Sequence, residues 1–148
     1  MTNCRNLIIA ALACAAVGSV AATSPAAAKS GSIPTGEKNA HEGRAGYVYY
    51  STTPVKGDVP GETWARVTLK ACDAKKDGYG IVATIWQHGL TRDELDARGG
   101  ASTCSKKRTY RLRGKVELRV CAHDQDNDVG SQRLGYVACS DRKVIANY

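Results

Sequence analysis

The chain has 148 residues and a formal net charge of +7 at pH 7, a length that fits one domain able to bury a real but modest core. No segment approaches the roughly 20 consecutive apolar residues that a membrane-crossing helix needs, so a span is excluded and the folded part is expected to be soluble.

The chain opens as an export signal. Arg5 is the only charge ahead of an apolar run from Leu7 to Val17, and small residues follow as far as Ala26-Ala27-Ala28. This is the charged, apolar and Ala-x-Ala order of a cleavable secretory peptide, assigned to residues 1–28, with the mature protein secreted. Cleavage after Ala22 is a competing reading. A lipoprotein box before Cys14 is another, but Ala11 stands where that box has a Leu-like residue. Removal of the signal takes Cys4, Arg5 and Cys14 with it. The remaining 120 residues carry 20 Lys and Arg against 14 acids, a net charge of +6. A moderately basic exported domain can favour anionic partners such as wall polymers, nucleic acid or acidic proteins, although such a balance also serves solubility.

Residues 29–46 are rich in Lys, Ser, Gly, Ala and Thr without an apolar period, and read as a flexible N-terminal arm. The folded domain is placed at 47–148, beginning with the strand-like run Tyr47-Val48-Tyr49-Tyr50. Pro54 and Pro60-Gly61 punctuate the next stretch as loop. Over 64–72, Ala65, Val67, Leu69 and Ala71 alternate with Trp64, Arg66, Thr68, Lys70 and Cys72, which predicts a half-buried strand. Asp77-Gly78 marks a turn, and Tyr79 to Gln87 reads as a strand buried on both faces for part of its length. Thr91 with Glu94 has capping-box spacing, Leu90 with Leu95 has staple spacing, and Gly99 sits where a helix would stop. A helix of one to two turns over 92–98 is the physical reading, with strand or loop left open because so short a helix has little stability of its own.

The second half returns to alternation. Leu112, Val116, Leu118 and Val120 face one way, and Arg111, Arg113, Lys115, Glu117, Arg119 and Cys121 face the other. A polar loop is expected from His123 to Gly130, a strand from Arg133 to Cys139 and a last short strand from Lys143 to Asn147. The pattern of six or seven strands and at most one short helix predicts an all-β, antiparallel β-sandwich. Parallel strands would read as continuous apolar runs instead.

Cys72, Cys104, Cys121 and Cys139 are an even set in an exported chain, which implies two disulfides and three conceivable pairings. Strand parity favours Cys72–Cys104 and Cys121–Cys139. Zinc is the competing reading, but there is no Cys-x-x-Cys and only His123 lies near a cysteine.

Three constellations could carry chemistry. Asp124, Asp126 and Asp128 alternate as in the first half of a calcium loop, so calcium is the one cofactor considered. However, Val129 and Gly135 stand where such a loop needs Gly and Glu. Lys106, Lys107, Arg108, Arg111, Arg113, Lys115 and Arg119 make a basic stretch interrupted by a single acid, Glu117. With Arg111, Arg113, Lys115 and Arg119 on one strand face, they form a stripe suited to an anionic polymer. The competing view is an ordinary wet face, or Lys and Arg guarding an edge. For catalysis there is no Gly-x-Ser-x-Gly, disulfides would consume the thiols, and His41 falls in the arm. His88 and His123 lie at strand ends where a site could be built. Acids at Asp73 and Asp77, or at Asp93, Glu94 and Asp96, fit turn residues as well as an acid/base pair.

The Ala-rich export signal, the hairpin from Cys72-Asp73 to Asp77-Gly78, the lone Cys104, and Val120-Cys121 followed by Cys139 resemble a loose group of small exported actinobacterial proteins. The resemblance covers roughly 64–140 and implies one β-sandwich, two disulfides and export, with no established activity and no catalytic residues. Secreted subtilisin-type protease inhibitors match in size and disulfide number but not in cysteine spacing. The expectation is therefore a secreted, non-catalytic, monomeric binding domain that contacts an anionic polymer, such as wall material, through the basic stretch. An inhibitor or toxin acting on another exported protein is the alternative, and it predicts a long exposed loop over 88–104. A small hydrolase is a third reading, and it predicts His88 or His123 in a cleft beside a carboxylate.

Overall fold

Ala65, Val67, Leu69 and Ala71 share one face of a strand by alternation, and all four are fully buried. They lie on β3 (Thr63–Asp73), the inner strand of a four-stranded sheet in this computed structural model, which describes residues 27–36, 45–98, 100–124 and 135–148. β3 pairs with β2 (Gly46–Lys56) on one side and with β6 (Arg108–Leu112) on the other, and β1 (Lys29–Pro34) adds to β2. A second sheet runs in the order β5 (Leu90–Ala97), β4 (Tyr79–Gln87), β7 (Lys115–Asp124). β8 (Tyr136–Cys139) and β9 (Lys143–Asn147) follow one another along the remaining edge of β7. Every pairing is antiparallel. The inner faces meet in one core that joins Val48, Val67 and Leu69 to Ile81, Ile85, Leu118 and Val120. The described residues thus form nine strands in two antiparallel sheets, an all-β sandwich without a helix.

The extra strands come from segments whose side chains do not advertise pairing. Residues 29–34, expected within a flexible arm, form β1. This strand buries only Ile33, opposite Val48, and is held by its ladder to β2. Gly31 lies opposite Tyr50, whose ring would be 3.1–3.2 Å from any added Cβ, so a bare backbone is what lets the ring lie there. The expected helix over 92–98 is instead part of β5. Its helical signals were local and worth little, whereas pairing with β4 satisfies the backbone and buries Leu95 and Ala97. Glu94 does not cap a helix. Its carboxylate accepts hydrogen bonds from the Tyr136 hydroxyl (3.0 Å) and Thr84 Oγ1 (3.4 Å). β4 and β5 are joined by His88-Gly89, both at positive φ (52° and 81°), a two-residue turn whose twist suits a hairpin. Residues 88–104 are therefore not a long exposed loop: 90–97 is strand. His123 and Asp124 close β7 rather than open a loop. The proposed signal up to residue 26, His41, Asp126, Asp128 and the side chain of Asp124 lie outside the described residues.

Both disulfides form as parity suggests. Cys121 stands directly opposite Cys139 in the β7–β8 ladder, and Cys72 opposite Cys104. The chain entering β6 is laid along the end of β3. The Asp73 N–H donates to the Thr103 carbonyl (2.8 Å), and the Ser105 N–H donates to the Ala71 carbonyl (2.8 Å). The Cys72–Cys104 bond clamps this approach. In the chain-entropy view, closing a 32-residue separation contributes about 3–4 kcal/mol. The double variant C72A/C104A is expected to lose about that much stability, read from the urea midpoint. A loss below about 1 kcal/mol would show that the backbone bonds hold the approach unaided.

Asp73 ends β3 with its carboxylate buried. Oδ1 accepts the Lys75 N–H (3.0 Å), while Oδ2 has no partner. Burial pushes the carboxyl above its ordinary value, Asp77 adds to the effect, and the backbone donors of Lys75 and Gly100 oppose it. The folded state therefore holds this proton to higher pH than the unfolded chain, so stability falls as pH rises from the ordinary value of 3.8 through the raised one. In urea unfolding followed upward from about pH 3, D73N should lack this decline. Parallel curves for wild type and D73N would contradict it.

Candidate functional site

The basic stretch expected on one strand does not stay on one strand. Arg113 and Gly114 form a turn that ends β6 in the first sheet and starts β7 in the second. Gly114 adopts φ 65°, a conformation that favours glycine, and a Cβ there would meet His88 Cε1 at 2.3 Å unless that ring moved. Leu112 and Val116 are both buried, on opposite sheets. The alternation thus continues across the break and conceals it. The stripe of Arg111, Arg113, Lys115 and Arg119 is divided accordingly. Arg111 lies on the first sheet, Arg113 at the end of the sandwich, and Lys115 and Arg119 on the second sheet. Lys115 Nζ is paired there with Glu117 (2.9 Å).

Arg108 is also committed elsewhere. By register it lies opposite Leu69 and shares the inner parity of Leu112, at the edge where β6 faces β5. Its Nη1 lies 2.6 Å from Asp93 Oδ2, and the Tyr110 hydroxyl donates to the same oxygen at 2.9 Å. Two strands from different sheets are thus latched by one carboxylate. Asp93 raises Arg108 further above its ordinary value, and burial with the Asp93 hydrogen bond pushes Tyr110 up to about 12. Lys106 borders a small hollow beside Asp96 and Arg108 on this flank.

The outer face of the first sheet keeps a different basic set, found by register rather than by sequence adjacency. Arg111 stands directly opposite Arg66, Thr109 opposite Thr68, and Thr68 opposite Ser51. Lys70 stands opposite Tyr49, and Val55 opposite Trp64. Lys107 borders a hollow with Tyr49, Ser51, Thr68 and Lys70. Tyr49 is 49% exposed and meets Tyr47 edge-on, with ring centroids 4.9 Å apart. A hydrogen bond with Tyr49 holds the Tyr47 phenol above its ordinary value. The Arg111 guanidinium lies 4.7 Å over the Trp64 ring, reaches Asp58 (2.7 Å) and donates to the Lys56 carbonyl (2.8 Å).

Like charges directly opposite one another destabilise a sheet. Arg111 is compensated by Asp58 and Trp64, but among the described residues no carboxylate pairs with Arg66 or Lys70. The strands of this face present no acid at an outward position; Asp58 and Glu62 sit in the 57–62 connection at its end. Sequence reasoning assigned Trp64, Arg66 and Lys70 only to a wet strand face. What it lacked was the knowledge that β6 is the neighbour of β3.

The histidines part company. His123 is buried on β7 against Tyr136, with ring centroids 5.7 Å apart, and its Nδ1 has no partner. His88 is exposed and borders an end cleft of about 450 Å³ together with Glu62, Trp64, Arg113 and Tyr148, so it lies in a cleft that also holds a carboxylate, as the hydrolase reading expects. Glu62 Oε2 accepts from the Trp64 indole N–H (3.0 Å), so this carboxylate orients Trp64. A hollow of about 510 Å³ between residues 32–36 and 139–143 has Arg142 at its rim, but that guanidinium is stacked 4.3 Å over Trp86. All four candidate cysteines are disulfides, so none offers a thiolate. Among the described residues no group of three or more His, Cys, Asp or Glu side chains is placed to hold a metal. Comparison of the chain with protein families, curated proteins and solved structures returns no match.

The latch makes a test of its own. Tyr110 holds its proton more tightly folded than unfolded, so its stabilising contribution is complete below pH 10.0 and is lost as pH rises through about 12. The stability difference between wild type and Y110F should shrink over that window in urea unfolding. A constant difference would remove the Asp93 bond as its source.

Proposed function

We propose that this is an exported, non-catalytic domain that binds an acidic polysaccharide along the outer face of its first sheet. The observation that carries the reading is the cross-strand pair of Arg66 and Arg111, with Lys70 on the same strand as Arg66 and Lys107 nearby. These charges tolerate one another at a cost that an anionic ligand would reverse. Two features favour a glycan over a nucleic acid. Hydroxyls from Ser51, Thr68 and Thr109 run between the cations and can meet sugar hydroxyls. Tyr47, Tyr49 and Trp64 offer amphipathic rings at both ends of the face. The proposed cleavage after Ala28 would start the mature chain where β1 starts, and two disulfides suit an oxidising compartment.

The domain should be retained on immobilised polygalacturonate and released by rising salt. The R66E/K70E variant, which breaks no described pair, should lose roughly tenfold or more in affinity. K115Q/R119Q, on the opposite sheet, should match wild type. Equal losses in the two variants, or tighter binding of duplex DNA than of polygalacturonate, would overturn the reading.

A further inference from the structure

The end cleft is the second place where unfilled polar groups meet an aromatic wall. Four separate pieces of chain build it: the end of the β2–β3 connection, the β4–β5 turn, the β6–β7 turn and the C-terminal residue. Backbone and side-chain bonds fix their relative positions. Gln87 Nε2 donates to the Arg113 carbonyl (2.8 Å), and the Gly114 N–H donates to a main-chain oxygen of Tyr148 (2.8 Å). His88 lies against Gly114 with no room for a Cβ between them. The cleft is thus preformed, and its volume of about 450 Å³ falls in the range of small-ligand sites.

Its lining carries one guanidinium, Arg113, and one carboxylate, Glu62. Glu62 Oε1 is 3.6 Å from Arg113 Nη1, too far for a hydrogen bond, and the other Glu62 oxygen accepts from Trp64. Arg113 therefore has attraction to Glu62 but unfilled donors, on a side chain 61% exposed. A planar guanidinium in this state accepts a carboxylate with two parallel bonds. Trp64 lies on both the outer face and the cleft wall, so a chain on the face leads directly into the cleft.

We infer that the cleft bordered by Glu62, Trp64, His88, Arg113 and Tyr148 is a subsite for a single carboxylated sugar unit, its carboxylate on Arg113 and its ring against Trp64. His88 and the Glu62 carboxylate lie in reach of ring hydroxyls. The inference deepens the acidic-polysaccharide reading and rests on it for the ligand class.

The test is calorimetric titration of the full chain with D-galacturonate and with D-galactose, repeated on R113Q and on R66E/K70E. The expected result is saturable binding of galacturonate, weaker or absent binding of galactose, and at least about tenfold weakening in R113Q with no change in R66E/K70E. R113Q leaves Glu62 on Trp64, and an unchanged urea midpoint would show that the fold is intact. No saturable galacturonate binding, equal binding of both sugars, or an unaffected R113Q would overturn the subsite. If polygalacturonate retention still depends on Arg66 and Lys70, the failure is the cleft's alone. Galacturonate bound through Arg113 without any polymer retention would instead remove the sheet-face reading and leave the subsite standing.

Discussion

The turn at Arg113-Gly114 is the constraint on which the rest of this molecule depends. It carries the chain from one sheet to the other in two residues, at a positive φ that favours glycine and with the His88 ring close against Gly114. Because of it, β6 and β7 pair with different neighbours, and a basic run that is continuous in sequence becomes two populations on opposite sides of a sandwich. The same turn supplies one wall of the end cleft and, through the Gly114 N–H, anchors the C-terminal residue.

At the two flanks of the sandwich, polar contacts add to the apolar packing of Ile33, Leu95, Leu112 and Ile145. On one, Asp93 gathers Arg108 and Tyr110 from the facing sheet. On the other, Lys143 approaches the Tyr50 ring at 5.8 Å. These contacts sit where the inner faces run out to solvent, and each spans the gap with a long side chain whose stem adds apolar cover. The outer face of the second sheet is sealed in a similar way. Val82, Thr84 and Trp86 are nearly inaccessible there, with Arg142 over Trp86 and Tyr136 reaching Glu94. The first sheet's outer face carries Arg66 and Lys70 without described partners, and the second sheet's carries Arg119.

Much of the fold was legible in the chain. Period-two alternation identified the core positions of β3 and β7, and an even cysteine count with strand parity gave the correct disulfides. β1 was not legible, because a strand held by backbone pairing that buries one Ile leaves no period to read. β5 was left between helix and strand because a capping-box spacing is a local signal, and its contribution of about 1 kcal/mol loses to a full ladder with β4. The basic site was half legible. Arg111 and Lys107 were named, but Arg108 turned out to serve the latch, while Lys115 and Arg119 belong to the other sheet. Arg66, Lys70 and Trp64 join Arg111 on one face only through the β3–β6 register, which no spacing along the chain encodes. Gly114 was the one available signal, a glycine within an apparently continuous strand.

The central claim is that an acidic glycan lies along β2, β3 and β6 and not along β7. Backbone amide chemical shifts followed by NMR during titration with oligogalacturonate test it position by position. The account predicts that amides of Tyr49, Arg66, Thr68, Lys70 and Arg111 move together and saturate, while those of Lys115, Glu117 and Arg119 stay fixed. Saturating shifts centred on β7, with β3 unmoved, would contradict it.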